Sequence, residues 1–172
     1  MSLSTCLAVA LLAFLAAPAL ADPPEGELPR MYYSHPSGRH TKDPSVVHLG
    51  DTYFMYHSIQ QADGSWGMAV ATSENLLDWT HAADLDLRVP DNKAGAAAPD
   101  AIVLNGKVHL FFQSYGGPEA KIVDGICYAS SDDGLTFDQP ESVRHLFAPA
   151  GDWNKSRAID AEPHVVGDHL CV

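Results

Sequence analysis

Basic residues are scarce in this sequence: ten Lys and Arg stand against 22 Asp and Glu, for a net charge of −12. A polyanion is gripped by clustered cations, so nucleic acid is excluded as a partner. The acids are spread along the chain rather than blocked, which makes a solvated acidic surface and not a disordered tail. Cysteine is also rare, at three residues, and no Cys/His spacing of the zinc-binding type occurs. Helical periodicity of useful length is missing, which argues against an α-helical domain. So is any apolar run long enough to span a membrane, the longest being the 14 residues from Leu7 to Leu20.

That run closes on Pro18-Ala19-Leu20-Ala21. Its length and small-x-small ending predict a secretory signal peptide over 1–21, cut before Asp22, and hence a secreted or periplasmic protein with no membrane contact after cleavage. A segment over 22–39 follows. The 151 residues left after removal of 21 from 172 suffice for one ordinary domain, which buries roughly 68–70% of its unfolded surface. Two cysteines remain, Cys127 and Cys171. An oxidising compartment permits a disulfide between them, and two buried thiols on neighbouring strands fit equally well.

The domain is organised as a repeat. One copy runs from Asp43-Pro44-Ser45-Val46-Val47 through Thr52-Tyr53-Phe54-Met55-Tyr56 and Trp66-Gly67-Met68-Ala69-Val70-Ala71-Thr72-Ser73 to Trp79. A second runs from Asp100-Ala101-Ile102-Val103-Leu104 through Val108-His109-Leu110-Phe111-Phe112 and Gly125-Ile126-Cys127-Tyr128-Ala129 to Phe137, and a third begins at Asp160. The starts are 57 and 60 residues apart. Within each copy, short apolar runs close on Gly50-Asp51 or Asn105-Gly106, pairs suited to hairpin turns. An aromatic strand, a strand alternating with small residues, and a fourth strand around Trp79 or Phe137 complete the unit. Four antiparallel strands per repeat predict an all-β fold of propeller blades: blade one about 43–90, blade two about 99–148, and the start of blade three at 158–172 within a domain of 40–172. A ring of about five such blades needs roughly 290 residues, so about two and a half blades are expected here. Ser130-Ser131-Asp132-Asp133-Gly134-Leu135-Thr136-Phe137 also fits the Asp-box turn found between third and fourth propeller strands. In that turn Asp132 is expected to bond backbone N–H groups and Gly134 to accept positive φ, with no catalytic part for Asp132. Ser73 to Trp79 is a looser version.

Each unit carries an acid just before its first strand, the innermost of a blade, so Asp43, Asp100 and Asp160 are expected to converge on the central channel. A single such Asp is more often a turn cap. Three in register with a repeat make a functional site as reasonable as a structural one.

Lys42-Asp43-Pro44-Ser45-Val46-Val47, Ala98-Pro99-Asp100 and Arg157-Ala158-Ile159-Asp160 together resemble the five-bladed β-propeller glycoside hydrolases of family 43 and their relatives, over about residues 40 to 172. The resemblance implies an exported glycosidase acting on plant or algal poly- or oligosaccharides. It implies inversion, with a general base on the first blade, matched by Asp43, and a pKa-modulating acid on the third, matched by Asp160. The general-acid Glu of the fourth blade has no counterpart in these 172 residues, so the chain by itself is expected to be inactive. Asp100 matches a position that binds substrate or shapes the site. Inversion needs a base and an acid about 6.5–9.5 Å apart, and a neighbouring carboxylate raises the pKa of the acid. Related families use the first-blade Asp as a nucleophile, with retention.

The third unit has two registers. Matching the valine pair sets Glu162 against Asp43, whereas distance to the glycine turn and the Ile-Asp pair favour Asp160; Glu162 stays a candidate for substrate binding. His40 beside the base, Trp153 as a stacking surface and Arg157 as a clamp on a carboxylate of substrate or of Asp160 complete the candidates. Trp66 is a weaker stacking candidate, and Trp79 is expected in the core. No residue pattern calls for a cofactor or metal, and a channel Ca²⁺ is left open. The competing readings are a non-catalytic carbohydrate-binding propeller and, on the Asp box alone, a sialidase-type enzyme without the expected arginine cluster.

Overall fold

The computed structural model describes residues 32–87, 95–115, 124–137, 144–147, 151–153 and 157–172. The expected signal peptide lies outside them.

Every regular element among the described residues is a strand. β1 (Thr41–Leu49), β2 (Thr52–Gln60), β3 (Trp66–Ser73) and β4 (Thr80–Leu85) form one antiparallel four-stranded blade. β5 (Gly95–Leu104), β6 (Lys107–Tyr115), β7 (Asp124–Ser131) and β8 (Arg144–Phe147) form a second. A hairpin of β9 (His164–Val166) and β10 (His169–Cys171) follows. Among the described residues, strand pairing joins the two blades at one place, where Trp66 pairs with Gly95. Gly95 has φ +134°, and a Cβ there would run into the Trp66 carbonyl, so that approach needs glycine. The hairpins turn where the sequence expects them, with Gly50, Asn105 and Gly106 all at positive φ.

The core lies between the blades. Phe54, Tyr56, Met68 and Val70 on one face of blade one meet Val108, Leu110, Phe112, Cys127 and Ala129 of blade two. The period-2 alternation produces this: in β2, Phe54 and Tyr56 face blade two while Met55 and His57 face the other way.

The Asp-box turn locks the blades together, with two corrections to the sequence reading. The carboxylate that accepts backbone N–H bonds is Asp133, not Asp132: Asp133 Oδ1 accepts from Leu135 N (2.8 Å), Thr136 N (2.6 Å) and Ser131 Oγ (2.9 Å). Asp132 points outward to an ion pair with Lys107. Ser73, Asn75 and Leu76 repeat the arrangement in blade one: Ser73 Oγ accepts from Asn75 N and Leu76 N, and Asn75 Oδ1 accepts from Leu77 N and Asp78 N. Leu76 (φ 65°) occupies the left-handed position that Gly134 (φ 76°) fills in blade two. Gly134 is required there, because an added Cβ would lie 2.7 Å from the Phe54 ring. Its carbonyl accepts the Tyr56 hydroxyl at 2.8 Å. The second correction is that Phe137 is not part of a fourth strand. It is buried against Tyr56, ring centroids 5.7 Å apart, and β8 starts only at Arg144. Trp79 is half-buried outside the core, its indole N–H donating to the Leu76 carbonyl.

Candidate active site

Three residues other than glycine have positive φ at the head of a blade: Asp43 (55°), Ala98 (48°) and Asp160 (55°). An L-residue in this region is strained, and such strain concentrates at functional sites. In β1 and β5 it coincides with a bulge, between Lys42 and Ser45 and between Ala97 and Asp100, where two residues are left unpaired. The bulges fix the register of the repeat. Asp43 is equivalent to Ala98 and Asp160; Asp100 is equivalent to Ser45 and Glu162. The expected alignment of Asp100 with Asp43 is therefore off by two residues, because the run of apolar residues after each acid does not reveal the bulge.

These three tripeptides, Asp43-Pro44-Ser45, Ala98-Pro99-Asp100 and Asp160-Ala161-Glu162, together line one cavity of about 310 Å³. Asp43, Asp100, Asp160 and Glu162 are thus brought to a shared space. Asp160 and Glu162 also border an adjoining, more apolar space of about 730 Å³, with Phe147, Trp153 and Ile159.

Asp43 is held on both sides. Ser58 Oγ donates to its Oδ2 at 2.9 Å, and Lys42 Nζ lies 3.1 Å from the same oxygen. Lys42 in turn sits over the Trp66 ring, 4.7 Å from the centroid, so that face of Trp66 carries a cation. Ser58 is fully buried and also accepts the amide N–H of Ala98 at 2.8 Å. Asp100 is bound into the joint between blades: its Oδ1 accepts from Ser45 Oγ (2.6 Å) and from Ala101 N (2.9 Å). Asp160 and Glu162 are exposed, Glu162 beside His164 at 3.3 Å.

The other candidates fall outside this cavity. His40 is exposed and uses its carbonyl to accept from Gln60 N. Trp153 is 86% exposed. Arg157 clamps a carboxylate, but that of Asp124 (3.1 Å) and not Asp160. The backbone explains the choice, since Ala158 N donates to the Asp124 carbonyl and anchors Arg157 beside β7. Ser58 and Tyr115 were missed. Burial raises the pKa of the Tyr115 hydroxyl, opposed by the charges of Lys42 and Arg157. A polar residue inside an otherwise apolar strand, as in Tyr56-His57-Ser58-Ile59, is the signal that could have found Ser58. Cys127 and Cys171 are both free thiols, one buried and one exposed.

Neither a protein-family model nor a curated protein matches the sequence. Solved structures do. Zg3597, a family 117 glycoside hydrolase of the marine bacterium Zobellia galactanivorans, superposes with a TM-score of 0.60 at 17% identity, over 80% of this chain and 49% of that one. The fold is that of the β-propeller glycoside hydrolases. A putative glycoside hydrolase from Parabacteroides distasonis gives 0.55 at 13% identity, over 78% of this chain and 42% of that one. The Bacillus subtilis arabinanase Arb43A gives 0.50 at 20% identity, over 73% and 44%. The chain spans less than half the length of each of these three proteins.

Proposed function

We propose that this chain is the N-terminal part of the catalytic propeller of an exported glycoside hydrolase that cleaves plant or algal poly- or oligosaccharides. The observation that carries the reading is the convergence of three equivalent, strained blade heads on one cavity with four carboxylates. The left-handed backbone of Asp43, Ala98 and Asp160 is maintained at a cost in stability, and its recurrence at each blade head beside the carboxylates supports a functional role. The glycoside hydrolase neighbours support the same class, among them an arabinanase and a GH43_1 enzyme of Xanthomonas citri complexed with xylotriose.

In this proposal Asp43 is the general base of an inverting reaction. Ser58 and Lys42 fix its Oδ2, which leaves Oδ1 to take a proton from the attacking water. Asp160, at the equivalent position across the cavity, raises the pKa of a general-acid Glu supplied by a further blade. Asp100 shapes the site through Ser45, and Glu162 meets sugar hydroxyls. The 172 residues by themselves are proposed to bind sugar without hydrolysing it. Export rests on the apolar run Leu7 to Leu20.

The test is Asp43→Asn in the complete enzyme, assayed on arabino- and xylo-oligosaccharides with the anomer of the product followed by NMR. Loss of kcat by at least about a hundredfold, with the sugar still bound, is expected. Retained turnover removes Asp43 as base. Product of retained configuration assigns it as nucleophile instead. Sugar binding with no turnover by the complete wild-type protein leaves a carbohydrate-binding propeller.

A further inference from the structure

The face of β2 that looks away from blade two is unlike its counterpart. In blade two the inter-strand register places Phe112 opposite Cys127, an apolar pair in the core; the corresponding pair in blade one is His57 opposite Ala69. That polar face is met by the segment before β1, through Tyr33 and His35. Tyr33 and His57 rings are 5.3 Å apart, His35 and His57 6.0 Å, and His35 and His81 4.5 Å. Asp84, on β4, completes the group.

We infer that His35, His81 and Asp84 form a binding site for a zinc-like divalent transition metal, with His57 beside it as a further imidazole. One ligand atom from each of the three residues lies within 4.8 Å of the other two. Asp84 Oδ1 is 3.0 Å from His35 Nε2 and 3.6 Å from His81 Nε2. Two ligands bound at 2.0–2.2 Å to a tetrahedral zinc stand about 3.3 Å apart, so only small movements are needed. Two imidazoles and one carboxylate are the donor set that zinc and its first-row neighbours prefer, and one that calcium or magnesium does not.

A second observation points the same way. Four buried side-chain polar atoms have no hydrogen-bond partner among the described residues, and three of them belong here: Tyr33 Oη, His57 Nε2 and His81 Nδ1. Buried polar atoms are nearly always satisfied, and a cluster of exceptions calls for an ion or its bound water. His57 is 3% exposed. Its Nδ1 lies 3.2 Å from the Ser58 carbonyl, and donating to it leaves Nε2 as a lone pair.

His35 also has the outer support of a metal ligand. Ser37 Oγ lies 2.8 Å from its Nδ1. In the metal-free tautomer Nδ1 accepts from Ser37 N at 3.2 Å and Nε2–H donates to Asp84. On metal binding the proton moves to Nδ1 and donates to Ser37 Oγ, freeing Nε2 for the ion with no net proton released. The ion would clip the segment leading into β1 onto the outer strand of blade one. It lies on the opposite face of β2 from Ser58, the hydroxyl that holds Asp43.

The test is titration of the chelator-stripped chain with Zn²⁺ against a chromophoric competitor, and with Co²⁺ for its d–d absorption. One equivalent is expected to bind, raising the Tm of the wild type. Asp84→Asn is expected to weaken binding by more than tenfold and to abolish the Tm shift, and Ser37→Ala to weaken it by about tenfold while the sheet signal in circular dichroism is unchanged. Two results would overturn the proposal: no binding tighter than about 0.1 mM, which leaves a hydrogen-bonded His–Asp triad only, or equal affinity in wild type, Asp84→Asn and Ser37→Ala, which puts the metal elsewhere, as at His164 and His169.

Discussion

Ser58 Oγ lies 2.9 Å from Asp43 Oδ2, and the same oxygen accepts the Ala98 amide at 2.8 Å. One buried hydroxyl thus ties the strained head of blade one to the equally strained head of blade two. The position of the proposed base is set by the neighbouring blade, through a residue on the second strand.

Ser58→Ala removes the donor to Asp43 and leaves the buried Ala98 N–H without its acceptor. The expected cost is about 1–3 kcal/mol, the penalty of an unsatisfied buried polar group together with a lost bond to a carboxylate. Urea unfolding should show a lower midpoint with an unchanged slope. A midpoint equal to that of the wild type would mean that the joint is held by the apolar core alone.

Asp133 gives a pH dependence of known sign. The N–H groups of Thr136 and Leu135 and the Ser131 hydroxyl hold its carboxyl well below the ordinary carboxylate range. A depressed folded-state value adds stability above the unfolded value near about pH 4, and this is lost as the pH falls through the folded value. Asp133→Asn keeps the acceptor oxygen, as Asn75 does in blade one, and removes the charge. The urea-midpoint gap between wild type and Asp133→Asn should therefore shrink between pH 6 and pH 3. Parallel profiles would show that the turn gains nothing from ionisation.

The cysteines should differ in reactivity. Burial pushes the Cys127 thiol up to about 11, whereas Cys171 is exposed. Since the thiolate is the reactive form, iodoacetamide at pH 8 should modify Cys171 and spare Cys127 until the chain is unfolded, as read by peptide mass spectrometry. Equal labelling of both in the native state would place Cys127 at the surface.

The fold was legible because its signals are local. Alternation in Phe54-Met55-Tyr56-His57, the Asn105-Gly106 turn and the Ser-Asp-Gly turn each act over a few residues, and their recurrence betrays the blade. Local reading failed where pairing across strands decides. Asp132 and Asp133 are neighbours of equal chemistry, and the structure separates them: Asp133 closes the turn with the buried Ser131, whereas Asp132 faces outward to Lys107.

The sequence by itself determined that the chain is a repeat of four-stranded antiparallel units with an acid near each start, since composition and period are properties of the chain. Tertiary structure alone decided which residues are equivalent. A bulge at Asp43 and a matching one at Ala98 mark the equivalent positions, two residues away from the pairing of Asp43 with Asp100, and a hydrogen bond between the blades joins them. It alone also gathered His35, His57, His81 and Asp84, drawn from the first segment, the second strand and the fourth, onto a face that no periodicity connects.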